Sequence, residues 1–299
     1  MWWWVRVILV LLLPFSFLLQ RGTCIPIEHT CPPSSCGKIS KISYPFRLKD
    51  DPIDCGDSRY ELSCENNVTT LNLYSGKYYV KSINYNNFTI RLVDIGIQQD
   101  NCSSLPLYFL TQSDFCVRYN YVDKYCTDPY QATAGGDSNA HLFEHIVYLN
   151  CTHRVTNNHK YVNTSSCLSL NSKSKGYYIY AMAGDLIADD FQVGCHVMLV
   201  TPTSLLTSFQ RNHVLSDDVT PNPMHRNKVV SYDVIHKALE YGFEISWLRH
   251  IFQDRCKGIT QCSLNTSTET LQCVCFCHSF LGGWTDICGK YYFPQFDFC

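Results

Sequence analysis

The sequence predicts a mostly β, disulfide-rich chain: two small extracellular β modules followed by a cysteine-rich C-terminal tail. Three observations carry this. Eighteen cysteines in 299 residues is a density that belongs to an oxidising compartment, where disulfides form and persist. Arg6 precedes an apolar run from Val7 to Leu19, interrupted by Pro14 and Ser16. That is the length of a secretory h-region, short of the roughly 20 apolar residues a membrane span needs. Further along, apolar and polar residues alternate with a period of two, and 20 tyrosines and 16 phenylalanines stand against 4 methionines, which suits strands. Charged residues are 17% of the chain, the formal net charge is -2 and no basic stripe dominates, so nucleic acid is not an expected partner.

Gly22 and Cys24 fit the small-residue positions of a cleavage site, so residues 1–24 are expected to be a signal peptide. The Trp2-Trp3-Trp4 cluster lengthens the apolar region, and an uncleaved segment would leave the chain membrane-associated instead of secreted. Cleavage after Cys24 would leave an odd number of cysteines, one of them free or intermolecular.

Residues 25–112 make the first expected module. Its densest block runs from Cys31 through Cys36-Gly37, Tyr44-Pro45-Phe46 and Cys55-Gly56 to Cys64. Each Cys-Gly pair suits a turn. Pro45 has no N–H and restrains Tyr44, so a strand there is an edge or ends. Cys55 and Cys64 are expected in bridges local to this module, pairing with each other being one of several connectivities that fit. Leu71 and Leu73 alternate with polar neighbours, and Phe88, Ile90 and Leu92 alternate with Thr89, Arg91 and Val93, giving strands joined by a turn at Asn84 to Asn87.

Residues 113–299 make the second. Phe143 to Leu149, Tyr177 to Met182 and His196 to Val200 are expected strands, and Ser216 to Asn227, with Pro221 and Pro223, a surface loop. A helix is expected with Ser231 as cap, Val234, Ile235, Ala238 and Leu239 as apolar face and Gly242 as stop. Phe243, Ile245 and Trp247 then alternate as a strand. The tail carries Cys256, Cys262, Cys273, Cys275, Cys277, Cys288 and Cys299 and suits an EGF-like knot of short loops. Cys102, Cys116, Cys126, Cys151, Cys167 and Cys195 complete the expected disulfide set with Cys31, Cys36, Cys55 and Cys64. Six sequons, at Asn67, Asn87, Asn101, Asn150, Asn163 and Asn265, are glycan acceptors in a secreted chain; Asn101 and Asn150 each precede a cysteine.

No catalytic or metal site is expected. His141-Leu-Phe-Glu144-His145 matches an inverted zinc-protease signature, which needs a helix. Here it runs into a β-branched and aromatic stretch, where extended geometry sets the two histidines about 13 Å apart. Cys273-Val-Cys275-Phe-Cys277-His278 has metal-ligating residue types, but disulfides are favoured in a secretory chain. Asp185, Asp189 and Asp190 lack a calcium-loop pattern around them, and no nucleophile elbow is present.

The block Cys36-Gly37, Ile42-Ser43-Tyr44-Pro45-Phe46, Cys55-Gly56 and Leu62-Ser63-Cys64 resembles the galacturonan-binding domain at the N-terminus of plant wall-associated receptor kinases, in particular the leaf-rust-resistance type. Leu142-Phe143, Asn150-Cys151 and Gly242-Phe243-Glu244-Ile245-Ser246-Trp247 resemble the cysteine-rich C-terminal module of the same ectodomains. The resemblance implies a secreted or cell-surface protein of the plant cell wall. It would recognise pectic polysaccharide (galacturonan) without catalysis or cofactor, with receptor-like kinases as further partners. No later stretch is long enough for a span and no kinase catalytic loop is present, so a receptor ectodomain without span or kinase is expected. Lys38, Lys41, Arg47 and Lys49 lie in a stretch without an acid that ends at Asp50 and could follow a row of uronate carboxylates, while Tyr44 and Phe46 could offer flat faces to sugar rings. The alternatives are that these cations pair with Asp50, Asp51, Asp54 and Asp57, and that the chain is a decoy or co-receptor binding protein rather than sugar.

Overall fold

The computed structural model describes residues 31–115, 128–133, 141–168, 176–184, 186–204 and 231–248, together with the backbone of 259–265, 270–277 and 286–294. The leader, the Ser216 to Asn227 stretch, Cys116, Cys126 and Asp185 lie outside these residues, as do the side chains of the tail cysteines and of Asn265.

The chain enters on a hairpin of β1 (Ser34–Cys36) and β2 (Ile39–Ile42). Gly37 makes its turn at φ +56°, and a Cβ there would lie 2.1 Å from the Asn67 carbonyl oxygen, so both conformation and space require glycine. Strands β3 (Arg47–Leu48), β4 (Glu61–Glu65), β5 (Val68–Leu73), β6 (Gly76–Asn84) and β7 (Thr89–Asp94) follow in one sheet. β3 runs parallel to β4 and the others pair antiparallel. Pro45 follows the end of β2, in a cis Tyr44–Pro45 peptide.

A second sheet contains β8 (Glu144–Cys151), β9 (Val162–Asn163), β10 (Tyr178–Ala183) and β11 (Cys195–Thr203), in the order β11-β8-β10-β9. Helix α1 (Tyr232–Tyr241) packs beside it, and β12 (Phe243–Ser246) then pairs with β7. The first sheet therefore reads β12-β7-β6-β5-β4-β3, its last strand coming from far down the chain. The tail runs as an antiparallel meander of β13 (Ile259–Asn265), β14 (Thr270–Cys277) and β15 (Asp286–Pro294).

The mostly β, disulfide-rich architecture expected from the sequence is present, with two corrections. The alternation sets Val93 with Thr89 and Arg91, opposite Ile90 and Leu92. Ile90 and Leu92 face the first core, but Val93 is also buried, packed in a second core with Ile235, Ala238 and Leu239 of α1. A strand covered on both faces loses its alternation. The helix face was also rotated: Tyr232, Ile235, Ala238 and Leu239 are buried, while Val234 is 40% exposed. Ser231 occupies the cap position without a side-chain cap bond. Gly242 ends the helix at φ +90°, its N–H donating to the Ala238 carbonyl; a Cβ there would meet the Leu92 carbonyl oxygen at 2.0 Å.

Among the described residues four disulfides form: Cys31–Cys55, Cys36–Cys64, Cys102–Cys167 and Cys151–Cys195. Cys55 and Cys64 are bridged locally but not to each other. The first two bridges interleave: Cys36–Cys64 pins the hairpin onto β4 and Cys31–Cys55 ties the segment before β1 to the Cys55 turn, while Cys102–Cys167 joins the segment after β7 to the segment after β9.

Candidate binding surface

The hairpin sets the geometry of the basic segment. Cys36, Ile39 and Ile42 turn into the core, so Lys38 and Lys41 point outward and are exposed, as is Lys49. Lys41 Nζ lies 5.7 Å over the ring of Tyr85, a cation–π arrangement. The Tyr85 hydroxyl accepts the Ser43 N–H at 2.8 Å and donates to the Ser43 carbonyl at 3.1 Å. Burial pushes the Tyr85 phenol up to about 12. Tyr44 is half-buried beside this pair in sequence.

Among the described residues Lys38, Lys41 and Lys49 form no ion pair. Two of the acids available to neutralise them are committed elsewhere. Asp51 accepts the Ser34 hydroxyl at 2.8 Å and the Leu48 N–H at 2.7 Å, and Asp57 pairs with Arg59. Three cations are thus left facing solvent on one short segment.

Phe46 and Arg47 do not belong to this surface. Phe46 is 1% exposed, with Trp247 at 5.4 Å, Tyr60 at 5.6 Å and Tyr85 at 6.3 Å around its ring; it has no free face for a sugar. Arg47 is 8% exposed, ion-paired to Glu61 and donating from Nη1 to the Asp51 carbonyl at 3.1 Å. Both are explained by tertiary partners: the parallel register sets Arg47 opposite Glu61, and Trp247 arrives with β12.

Sequence reasoning missed Lys81, whose Nζ lies 5.6 Å over Tyr79, and Arg91, whose guanidinium stacks 4.4 Å over Tyr241. A signal was present: Lys77, Tyr79 and Lys81 recur at period two against buried Tyr78 and Val80.

The comparisons with known proteins bear on this same segment. Residues 31–94 match the protein family described as wall-associated receptor kinase galacturonan-binding. The recognition drawn from the Cys-Gly pairs and the Tyr-Pro-Phe run is thereby met. A curated relative, the leaf rust 10 disease-resistance locus receptor-like protein kinase-like 1.2 of Arabidopsis thaliana, is 32% identical over 116 residues; the match covers 34% of this chain and 18% of that protein. No solved structure matches. The first part of the chain thus carries the sequence pattern of a wall-associated receptor kinase ectodomain, and the galacturonan-binding match spans the β1–β2 hairpin and the first sheet through β7.

Among the described residues elsewhere, several chemistry-bearing side chains have structural employment. Glu144 and His145 open strand β8, and His145 Nε2 accepts the Gln112 N–H at 3.2 Å. Asp190 is held below the usual carboxylate range by its hydrogen bond from Lys160 and the Ile187 N–H. Cys102, Cys167 and Asp233 gather closely enough to suggest a metal, but the two sulfurs are bonded to each other. Ser104 Oγ lies 3.0 Å from His236 Nε2, and His236 Nδ1 lies 3.1 Å from Glu240, the order of a nucleophile, base and acid. The Ser104 oxygen is buried and also accepts the Gln98 N–H, while Glu240 accepts the Asp100 N–H. The array fastens the 98–104 turn to α1.

The sequon side chains differ. Asn67, Asn87 and Asn163 are exposed, Asn101 and Asn150 half-buried. Asn150 lies in β8 with its Oδ1 buried and without a hydrogen bond. No helix among the described residues is long and apolar enough to cross a membrane.

Proposed function

We propose that this chain is a secreted or cell-surface glycoprotein of the plant cell wall that binds pectic polysaccharide without catalysis. The carrying observation is that Lys38, Lys41 and Lys49, inside the segment that matches a galacturonan-binding family, are exposed and form no ion pair among the described residues. Galacturonan offers a carboxylate on each unesterified sugar, and exposed ammonium groups bind such a row by charge-assisted hydrogen bonds. Tyr85, held through Ser43, and Tyr44 supply ring surface beside the charges. Disulfides on both sheets suit the oxidising space outside the cell. Receptor-like kinases are the proposed protein partners.

The test is binding of the purified mature chain to oligogalacturonides across a salt series. Affinity should fall as salt rises, because exposed contacts are screened over about 8–10 Å at ordinary ionic strength. The triple change Lys38→Gln, Lys41→Gln, Lys49→Gln should weaken binding about tenfold at low salt, from roughly 0.2–1 kcal/mol per contact. Absence of binding at low salt sinks this reading and favours a module that binds protein alone.

A further inference from the structure

The positive charge of this face continues beyond the segment that precedes Asp50. Lys81 occupies β6 where the pairing with β7 slips, between Val80 and Ser82. Such a bulge re-aims a side chain out of the ladder: Lys81 is exposed, while Val80 beside it is buried. The register sets Arg91 opposite Ser82, and Arg91 Nε donates to the Ser82 hydroxyl at 3.4 Å. A second cation therefore stands next to Lys81. Arg91 is held there by the Tyr241 ring and by its Nη1 bond to the Tyr241 carbonyl at 3.0 Å. Lys38 lies on the turn of the hairpin whose strand β2 packs against β6, and its charge reaches Lys81. Burial, then the charges of Lys38 and Arg91, pull the Lys81 ammonium below its usual 10.5.

Among the described residues Lys38, Lys81 and Arg91 form no ion pair, although Glu244 is the cross-strand neighbour of Arg91. Like charges drawn together raise each other's free energy, and an anion bound among them lowers it. The Tyr79 ring under Lys81 fixes where the ammonium sits.

We propose that Lys81, placed over Tyr79 on the bulge of β6 and across the strand pair from Arg91, is a specificity-determining residue of the pectin surface that takes a free uronate carboxylate. This rests on the pectin-binding reading above. A methyl ester leaves a neutral carbonyl at that position, and a neutral glycan leaves a hydroxyl; neither replaces the charge-assisted bond, which is about twice as strong as a neutral one. Lys81 thereby separates de-esterified from esterified polymer.

The experiment compares the parent chain, Lys81→Met, Lys81→Arg and the Lys38→Gln, Lys41→Gln, Lys49→Gln triple variant. Each is titrated at low salt with de-esterified and with fully methyl-esterified oligogalacturonides, and each is checked for an unchanged melt. Lys81→Met keeps the apolar stem. It should lose about fivefold or more in affinity for the de-esterified ligand and change little for the ester, and Lys81→Arg should recover most of the loss. Loss of affinity by the triple variant with none in Lys81→Met overturns this inference and leaves the pectin reading standing. Equal losses for both ligands overturn it too, since they signal shape and not charge. A parent chain that binds neither ligand overturns both.

Discussion

Arg47 and Glu61 face each other across the parallel pairing of β3 with β4, the guanidinium almost out of water and the carboxylate about a third exposed. A basic residue placed by sequence on the binding surface thus fastens an edge of the first sheet. Replacing Arg47 with Gln removes this ion pair and the bond to the Asp51 carbonyl. Stability should fall by about 1–3 kcal/mol, measured by urea denaturation, whereas Lys38→Gln, Lys41→Gln and Lys49→Gln should each stay within about 0.5 kcal/mol of the parent. Equal losses for all four would contradict the division between buried and surface cations.

Cys36–Cys64 closes a loop with a sequence separation of 28. Changing both to Ser should cost about 3–4 kcal/mol on the chain-entropy account, and should loosen the hairpin that carries Lys38 and Lys41. The pectin affinity of the double variant should fall although no cation has been touched. A non-reducing peptide map joining Cys36 to Cys55, or Cys31 to Cys64, would refute the interleaved pairing.

Asp94 ends β7 with its carboxylate buried and accepting three backbone N–H groups, from Gly96, Leu107 and Tyr108, at 2.8 to 3.0 Å. Burial, the stronger influence, raises its pKa from the usual 3.8, against those three bonds. A raised carboxyl contributes stability that is full below the unfolded value and is lost as pH rises through the folded one. Asp94→Asn puts an amide donor against an N–H and should cost about 1–3 kcal/mol at pH 7. The parent gains from protonating Asp94 on acidification and the variant does not, so the gap in denaturation free energy should widen toward pH 4.

Tyr85 behaves the same way at the alkaline end. Its phenol stays neutral up to about 12 in the folded chain against 10.0 when free, so its contribution is intact below pH 10 and is lost between about 10 and 12. Tyr85→Phe should be less stable than the parent at pH 7 by about 1–2 kcal/mol, through the two Ser43 bonds. That gap should shrink as the pH approaches 12. A gap independent of pH would show that the hydroxyl is not held as described.

Much of the first sheet was legible because one face of β5 and β6 buries Leu71, Leu73, Tyr78 and Val80 and the local alternation says so. Val93 was not, since the helix that covers it begins at Tyr232. The aromatic-Pro-aromatic run lies between the exposed Lys41 and Lys49, yet Phe46 turns inward because its partner Trp247 is distant in sequence. The period-two pattern announces that Lys81 faces outward with Lys77 and Tyr79, but the slip in register that sets it near Arg91 has no local signal. In each case the deciding contact joins residues that the sequence keeps apart.

Strand β12 also has a consequence for the order in which the molecule is made. Residues 243–246 complete the sheet against β7 at 89–94, so the ladder waits for more than half of the chain to be synthesised. During that interval β7 presents an open hydrogen-bonding edge, and Phe46 and Phe88 lack the Trp247 ring that covers them. Contacts this distant are slow to close, and an unpaired strand edge invites pairing with other chains. A fragment ending at residue 112 should therefore be poorly secreted or aggregated, and supplying the missing strand in trans as a peptide spanning 231–248 should raise its recovery.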